Sequence, residues 1–209
     1  MTESAPPPVT YDVHPSIAYV AAMVSNLKEK TGKSLDEWSD LIHSEQPLDP
    51  KAWLASRGLG TQQAGLVLRR ATAARGHAFA DTPAGYLASA PGYVEAQYGG
   101  RRALLRPLFE RLTTLARSLG PDVKVCPCET MVAFYRHHVF AQVKPFASRL
   151  DLGLALSDPA TVEDPSGRLK DTGGFKKRDR ITHKLEITSE AELGTASPWL
   201  KVAYERDRH

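Results

Sequence analysis

Cysteine is almost absent from this 209-residue sequence: only Cys126 and Cys128 occur, one residue apart. A pair so placed cannot close a long loop, which excludes a disulfide scaffold and favours a reducing compartment. Long apolar runs are missing too. The longest, Ile17 to Val24, is far short of the ~20 residues that cross a bilayer, and Met1 to Thr10 has neither a cationic opening nor an apolar stretch of signal type. The expectation is a soluble, cytoplasmic protein with no membrane partner. Charge of one sign is scarce: 27 Lys and Arg against 24 Asp and Glu leave a formal net charge of +3. That mild excess permits an anionic partner without requiring one. With 42% hydrophobic and 24% charged residues, the composition is that of an ordinary globular chain with enough apolar material for one or two cores.

What is present divides by period. Residues 1–13, rich in Pro, Ser and Thr, read as a flexible lead-in. Residues 14–75 read as a small helical domain. Ile17, Val20, Val24 and Leu27 recur at helical spacing up to the Thr31-Gly32 stop; Ser34 with Glu37 forms a capping box; Asp49-Pro50 opens a short helix; and after Gly58-Leu59-Gly60 a fourth begins at Thr61. Residues 76–92, Gly/Ala/Pro/Ser-rich, read as a linker. Residues 93–209 then predict a second domain. A helix with Leu104, Leu108, Leu112, Leu115 and Leu119 on one side precedes five strands: 123–128, 131–136, 139–144, 150–156 and 181–187. A last helix follows, opened by Ser189 and Glu192 and delayed by Pro198. The connections joining these strands read as short, so neighbours are expected to pair antiparallel in a meander. The predicted class is α+β: an N-terminal small helical bundle plus a C-terminal antiparallel five-stranded sheet with helices packed on one face.

Specific stretches then carry a resemblance. "KTGKSLDEW" at Lys30 to Trp38 and "GLGTQQA" at Gly58 to Ala64 resemble a bacterial helical domain, domain of unknown function 4287. "APGYVEAQYGGRRALLRPLFERL", "GPDVKVCPCETMVAFYRHHVFAQVKP" and "RLDLGLAL" resemble its C-terminal companion, domain of unknown function 5655. Together they cover about residues 14 to 206. The resemblance implies an architecture and no activity. The C-terminal plan is also similar to small YjbR-like proteins, for which DNA binding has been proposed from shape.

Three sets of residues suggest chemistry. Gly58 and Gly60 with Thr61 resemble the hairpin of helix-hairpin-helix proteins, where glycines let a backbone approach a phosphate; the plainer reading is a tight turn between two helices. Arg57, Arg69 and Arg70 lie nearby in sequence. Lys176, Lys177, Arg178 and Arg180 follow Gly173-Gly174-Phe175 and could grip a phosphate backbone while the aromatic stacks on a base; the alternative is a solvated loop. Tyr135, Arg136 and His138, with Lys144 on a neighbouring strand, could frame an anion. Cys126, Cys128, His137 and His138 are too far apart along their strands for zinc, so no metal is expected, and nothing matches a cofactor or catalytic motif. His183 alternates with Ile181 and Leu185 as a hydrogen-bonded core residue would. The sequence therefore points to a non-catalytic binding module for an anionic ligand, nucleic acid first. The alternative is a small-molecule binder or enzyme using an inter-domain cleft with Tyr135, Arg136 and His138.

Overall fold

The structure, a computed structural model, describes residues 9–73 and 82–208. It divides the chain into two compact units, Val13–Ser89 and Met1–Asp12 with Ala90–His209.

The first unit is built from α1 (Ser16–Thr31), α2 (Leu35–Glu45), α3 (Pro50–Ser56) and α4 (Thr61–Thr72). The capping box predicted for α2 forms in full. The Glu37 amide donates to Ser34 Oγ at 3.2 Å, and the Ser34 amide donates to Glu37 Oε2 at 2.6 Å. Gly32 ends α1 in the left-handed region at φ 75°, where a Cβ would be strained. Leu27, Trp38, Leu54, Leu66 and Val67 fill the core. In α4 Leu66 is fully buried and Leu68 only partly covered.

α5 (Pro83–Gln97) makes residues 83–92 of the expected linker helical and runs past the division at Ser89; a 3₁₀ segment (Gly100–Leu105) and α6 (Arg106–Arg117) follow in the other unit. The single long leucine-faced helix expected here is thus two pieces, and Leu104 is 89% exposed while Phe109 is fully buried. Leu104 falls in the 3₁₀ segment, whose roughly 3.0 residues per turn do not continue the face that Leu108 and Leu112 present from α6. Pro107, in the first turn of α6, needs no intrahelical donor there.

Six strands, not five, follow: β1 (Lys124–Pro127), β2 (Val132–Tyr135), β3 (Val139–Pro145), β4 (Leu150–Leu154), β5 (Lys170–Asp171) and β6 (His183–Ile187). They form one sheet in the order β1-β2-β3-β4-β6-β5, and every neighbouring pair is antiparallel. The extra strand, β5, is two exposed polar residues at an edge, with no alternation to announce it. The last helix, α7 (Ala191–Arg206), continues through Pro198. Its first turn is closed one residue earlier than Ser189 predicted: the Glu192 carboxylate accepts from the Thr188 amide at 2.6 Å and hydroxyl at 2.9 Å.

Leu150, Leu152 and Leu154 are fully buried with Val143, Leu185 and Ile187 and with Leu112 of α6 and Leu200 of α7. Each buried leucine contributes about 1.5–3 kcal/mol. Val9 and Tyr11 pack against this same core, and Asp12 closes the edge of β1: its amide donates to the Val125 carbonyl and its carboxylate accepts from the Val125 amide. The mixed helix-and-sheet class is therefore observed. On the opposite sheet face Asp151, 8% exposed, accepts from Arg149 at 2.8 Å and Lys184 at 2.7 Å, which compensates its burial.

Candidate anion-binding site

Between β4 and β6 the chain leaves the sheet for a long excursion, and the ends of this excursion form a pocket. Ser157 leaves β4 in the left-handed region at φ 69°, an uncommon conformation for a residue with a side chain. Near the return to β6, Gly173 turns at φ 70°, Phe175–Lys177 forms one 3₁₀ turn, and Arg178 again has positive φ, 57°. Gly174 is required by space: a Cβ there would lie 2.2 Å from the Ile181 carbonyl oxygen. The pocket, about 190 Å³, is lined by Ser157, Phe175, Asp179, Arg180, Thr182, Arg206 and Asp207, over Ala155, just past β4, and Ala203 of α7.

Asp207 organises this end of the unit. Its side chain is 2% exposed, and both oxygens are fully used. Oδ2 accepts the amides of His137 at 3.1 Å and His138 at 2.8 Å; Oδ1 meets Arg180 at 2.7 Å and His138 Nδ1 at 3.1 Å. Arg180 is tied a second time, through Nε to the Val139 carbonyl at 3.3 Å. Arg206 donates to the Leu156 carbonyl and has no carboxylate partner among the described residues. A guanidinium has five N–H donors, so both arginines retain donors for a ligand. The Ser157 hydroxyl likewise has no partner among the described residues. Asp179, the other acid of the pocket, accepts the Ile181 amide at 3.0 Å.

Thr182 links this pocket to the core. Its hydroxyl accepts the Leu156 amide at 3.1 Å and lies 2.9 Å from His183 Nδ1, and His183 is 4% exposed. Burial depresses the His183 pKa below its ordinary value; Asp171 opposes the shift and Arg206 adds to it. The folded protein thus favours neutral imidazole, while the unfolded chain gains its proton as pH falls through about 6.5. Stability from this group is present above that pH and lost below it. We expect urea unfolding to give a lower free energy at pH 5.5 than at 7.5, and the difference to shrink in His183→Asn. His14 in the helical unit is depressed the same way by burial, so the variant comparison isolates His183. An undiminished difference would assign the effect elsewhere.

The residues singled out from the sequence fall in several places. Lys176, Lys177 and Arg178 project from the turn beside the pocket, are exposed, and make no ion pair among the described residues. Arg180 lines the pocket, and His138 joins it through Asp207. Arg136 is engaged in structure: Nε donates to Asp122 at 2.7 Å, and the guanidinium lies 4.4 Å from the centre of the Tyr204 ring. Tyr204 and Arg136, hydrogen-bonded to Asp122, lower its pKa. Tyr135, on half-buried backbone at the far end of β2, pairs with Val139, whereas Lys144 pairs with Asp151 at the other end of β3; these two do not frame one site. Loss of hydration pushes the thiols of Cys126, which is buried, and Cys128, which is half-buried, up to about 12 and about 11, so both stay protonated near neutrality.

In the helical unit, Gly58 adopts φ 88° and Gly60 caps α4, its amide donating to Gln63 Oε1 at 3.1 Å. Between them Leu59 is buried in the core, so the turn has a packing role. Arg57 pairs with Glu45 and Arg70 with Asp36. Gly60 also borders a second cavity, about 370 Å³, with Tyr19, Asn26, Lys30, Gln62 and Gln63 on its wall, and Thr61 begins α4 at the surface.

Arg206, Asp207, Ser157 and Thr182 were not singled out by sequence reasoning. Ser157 and Thr182 are common loop and strand residues, and the two tail residues read as an ordinary helix end.

Fold and pocket together define an α+β unit with a helix-covered antiparallel sheet and, at one sheet end, a pocket lined by two arginines and two aspartates. Compared with protein-family models, residues 94–207 match the family described as Domain of unknown function (DUF5655), and the chain belongs to that family. No curated protein and no solved structure matches the chain.

Proposed function

We propose that this protein is a binding module for a phosphate-bearing anion, nucleic acid first among them, acting through the 173–180 loop and the adjoining pocket. The observation that carries this reading is a concentration of uncompensated cations. Arg206 lines the pocket with no carboxylate partner among the described residues, and Lys176, Lys177 and Arg178 beside it have none either. Asp179 and Asp207, the acids of the pocket, are turned to backbone amides and to Arg180. Such an arrangement suits an anion whose charge is repeated along a chain. Phe175, 48% exposed on the same turn, offers a face for a base.

The motifs at Lys30–Trp38 and Gly58–Ala64 support reading the helical unit as domain of unknown function 4287 from a bacterium, acting in the cytoplasm, with the Gly58-Gly60-Thr61 turn as a further phosphate contact. Among the described residues no helix is long and apolar enough to cross a membrane.

The reading is tested by titrating wild-type protein onto a fluorescent duplex and a fluorescent single strand over a series of salt concentrations. Affinity should fall linearly on a log–log plot as salt rises. No detectable binding at low salt, where electrostatics is strongest, would remove the nucleic-acid reading.

A further inference from the structure

We infer that the pocket between Arg180 and Arg206 takes the terminal phosphate monoester of a single strand, with Phe175 stacked on the adjoining base. This rests on the nucleic-acid reading and narrows it to strand ends.

Size is the first argument. At about 190 Å³ the pocket lies below the roughly 300–1,000 Å³ of sites that enclose whole small molecules. It has room for a compact group and leaves the rest of a ligand outside.

Donor chemistry is the second. Arg180 approaches from the loop, held by Asp207 and the Val139 carbonyl. Arg206 approaches from the end of α7, held by the Leu156 carbonyl. Anchored guanidiniums lose little freedom on binding, and their unused N–H groups match phosphate oxygens in pairs. The unpartnered Ser157 hydroxyl adds a third donor, presented by backbone held at φ 69°. Positive φ in a serine is a cost the fold retains, as happens where a side chain must point a particular way. A terminal monoester carries about −1.5 to −2 charge and three free oxygens, against one charge on an internal diester. Two guanidiniums and a hydroxyl suit the former, because the two carboxylates on the same lining, Asp207 and Asp179, are taken up by Arg180 and by backbone amides.

Surroundings are the third. Phe175 lines the same pocket and is half exposed, so a base next to the bound phosphate meets its ring. Lys176, Lys177 and Arg178 follow it directly in the chain, placed for phosphates further along.

The experiment measures anisotropy of four probes with full-length protein: one single strand with a 5′-phosphate, the same strand with a 3′-phosphate, the same strand with hydroxyl ends, and a nucleoside monophosphate. A phosphorylated strand should bind about tenfold more tightly than the hydroxyl strand and than the monophosphate. Arg206→Gln should erase the preference and keep the residual, salt-sensitive binding of all strands. Because Arg206 also holds the Leu156 carbonyl, Ser157→Gly supplies a second variant that removes a pocket donor while relieving the positive φ; its preference should fall several-fold with thermal stability retained. Equal binding of phosphorylated and hydroxyl strands by wild type would overturn the inference and leave the nucleic-acid reading standing. Equal binding of strand and monophosphate would overturn the strand as source. Absence of binding to every strand would overturn the inference, and the duplex titration then decides whether the broader reading falls with it.

Discussion

Asp207→Ala is expected to destabilise the C-terminal unit by about 1–3 kcal/mol, the cost of removing the buried acceptor of two backbone amides, since its charged partners Arg180 and His138 are half exposed. The carboxylate is almost completely enclosed and serves four donors, two of them backbone amides in the turn between β2 and β3. Removing it strands the His137 and His138 amides and leaves Arg180 facing no acid. Neither arginine nor histidine can make good the loss, since both only donate there or add charge of the same sign. Urea denaturation should show the lowered midpoint, and the same variant should weaken anion binding because Arg180 is no longer fixed. Asp207→Asn should recover part of the stability, keeping an oxygen for the amides. Wild-type stability in Asp207→Ala would mean that the cluster organises nothing.

Charge reversal of Lys176, Lys177 and Arg178 to Glu is expected to lower nucleic-acid affinity on the order of a hundredfold near physiological salt. Each cation in contact with a duplex phosphate contributes about −0.9 to the slope of log affinity against log salt, so the slope should flatten by up to about 2.7. Arg180 is left unchanged because it ties the loop to Asp207 and Val139, and reversing it would confuse binding with folding. The other three project into solvent without ion pairs among the described residues, so unfolding free energy should stay within about 0.5 kcal/mol of wild type. Salt titrations on a duplex and a single strand, beside a thermal melt, read both effects. Unchanged affinity and slope in a folded variant would move the contact surface to the Gly58–Thr61 turn.

The elements that announced themselves in the sequence are those whose cause is local. Ser34 and Glu37 satisfy each other across one helical turn, Gly32 and Gly58 turn where positive φ is needed, and the leucines of β4 alternate because a strand alternates. The class of each unit follows from such signals, and so does the basic loop, which needs only a run of lysines and arginines. Where a neighbour decides, the pattern misleads. β5 exists because β6 offers it a free edge, Leu104 is exposed because it falls in the 3₁₀ segment before α6, and α7 continues through Pro198 with its first turn closed by Thr188 instead of Ser189.

The site divides in the same way. Lys176, Lys177, Arg178 and Arg180 were legible as charge on a glycine-hinged segment. Lys144 and Tyr135, close in sequence to one another and to Arg136, end at opposite ends of β3, because a hairpin carries residues apart as readily as it brings them together. Helical and sheet periods, capping residues and the excess of cations beside Gly173-Gly174 are local properties of the chain. Which of those cations stay uncompensated depends on contacts made in folding. Folding brings Asp207 against Arg180 across 27 residues and sets Arg206 on the Leu156 carbonyl across 50, and long-range pairing of that kind leaves no periodic trace along the chain.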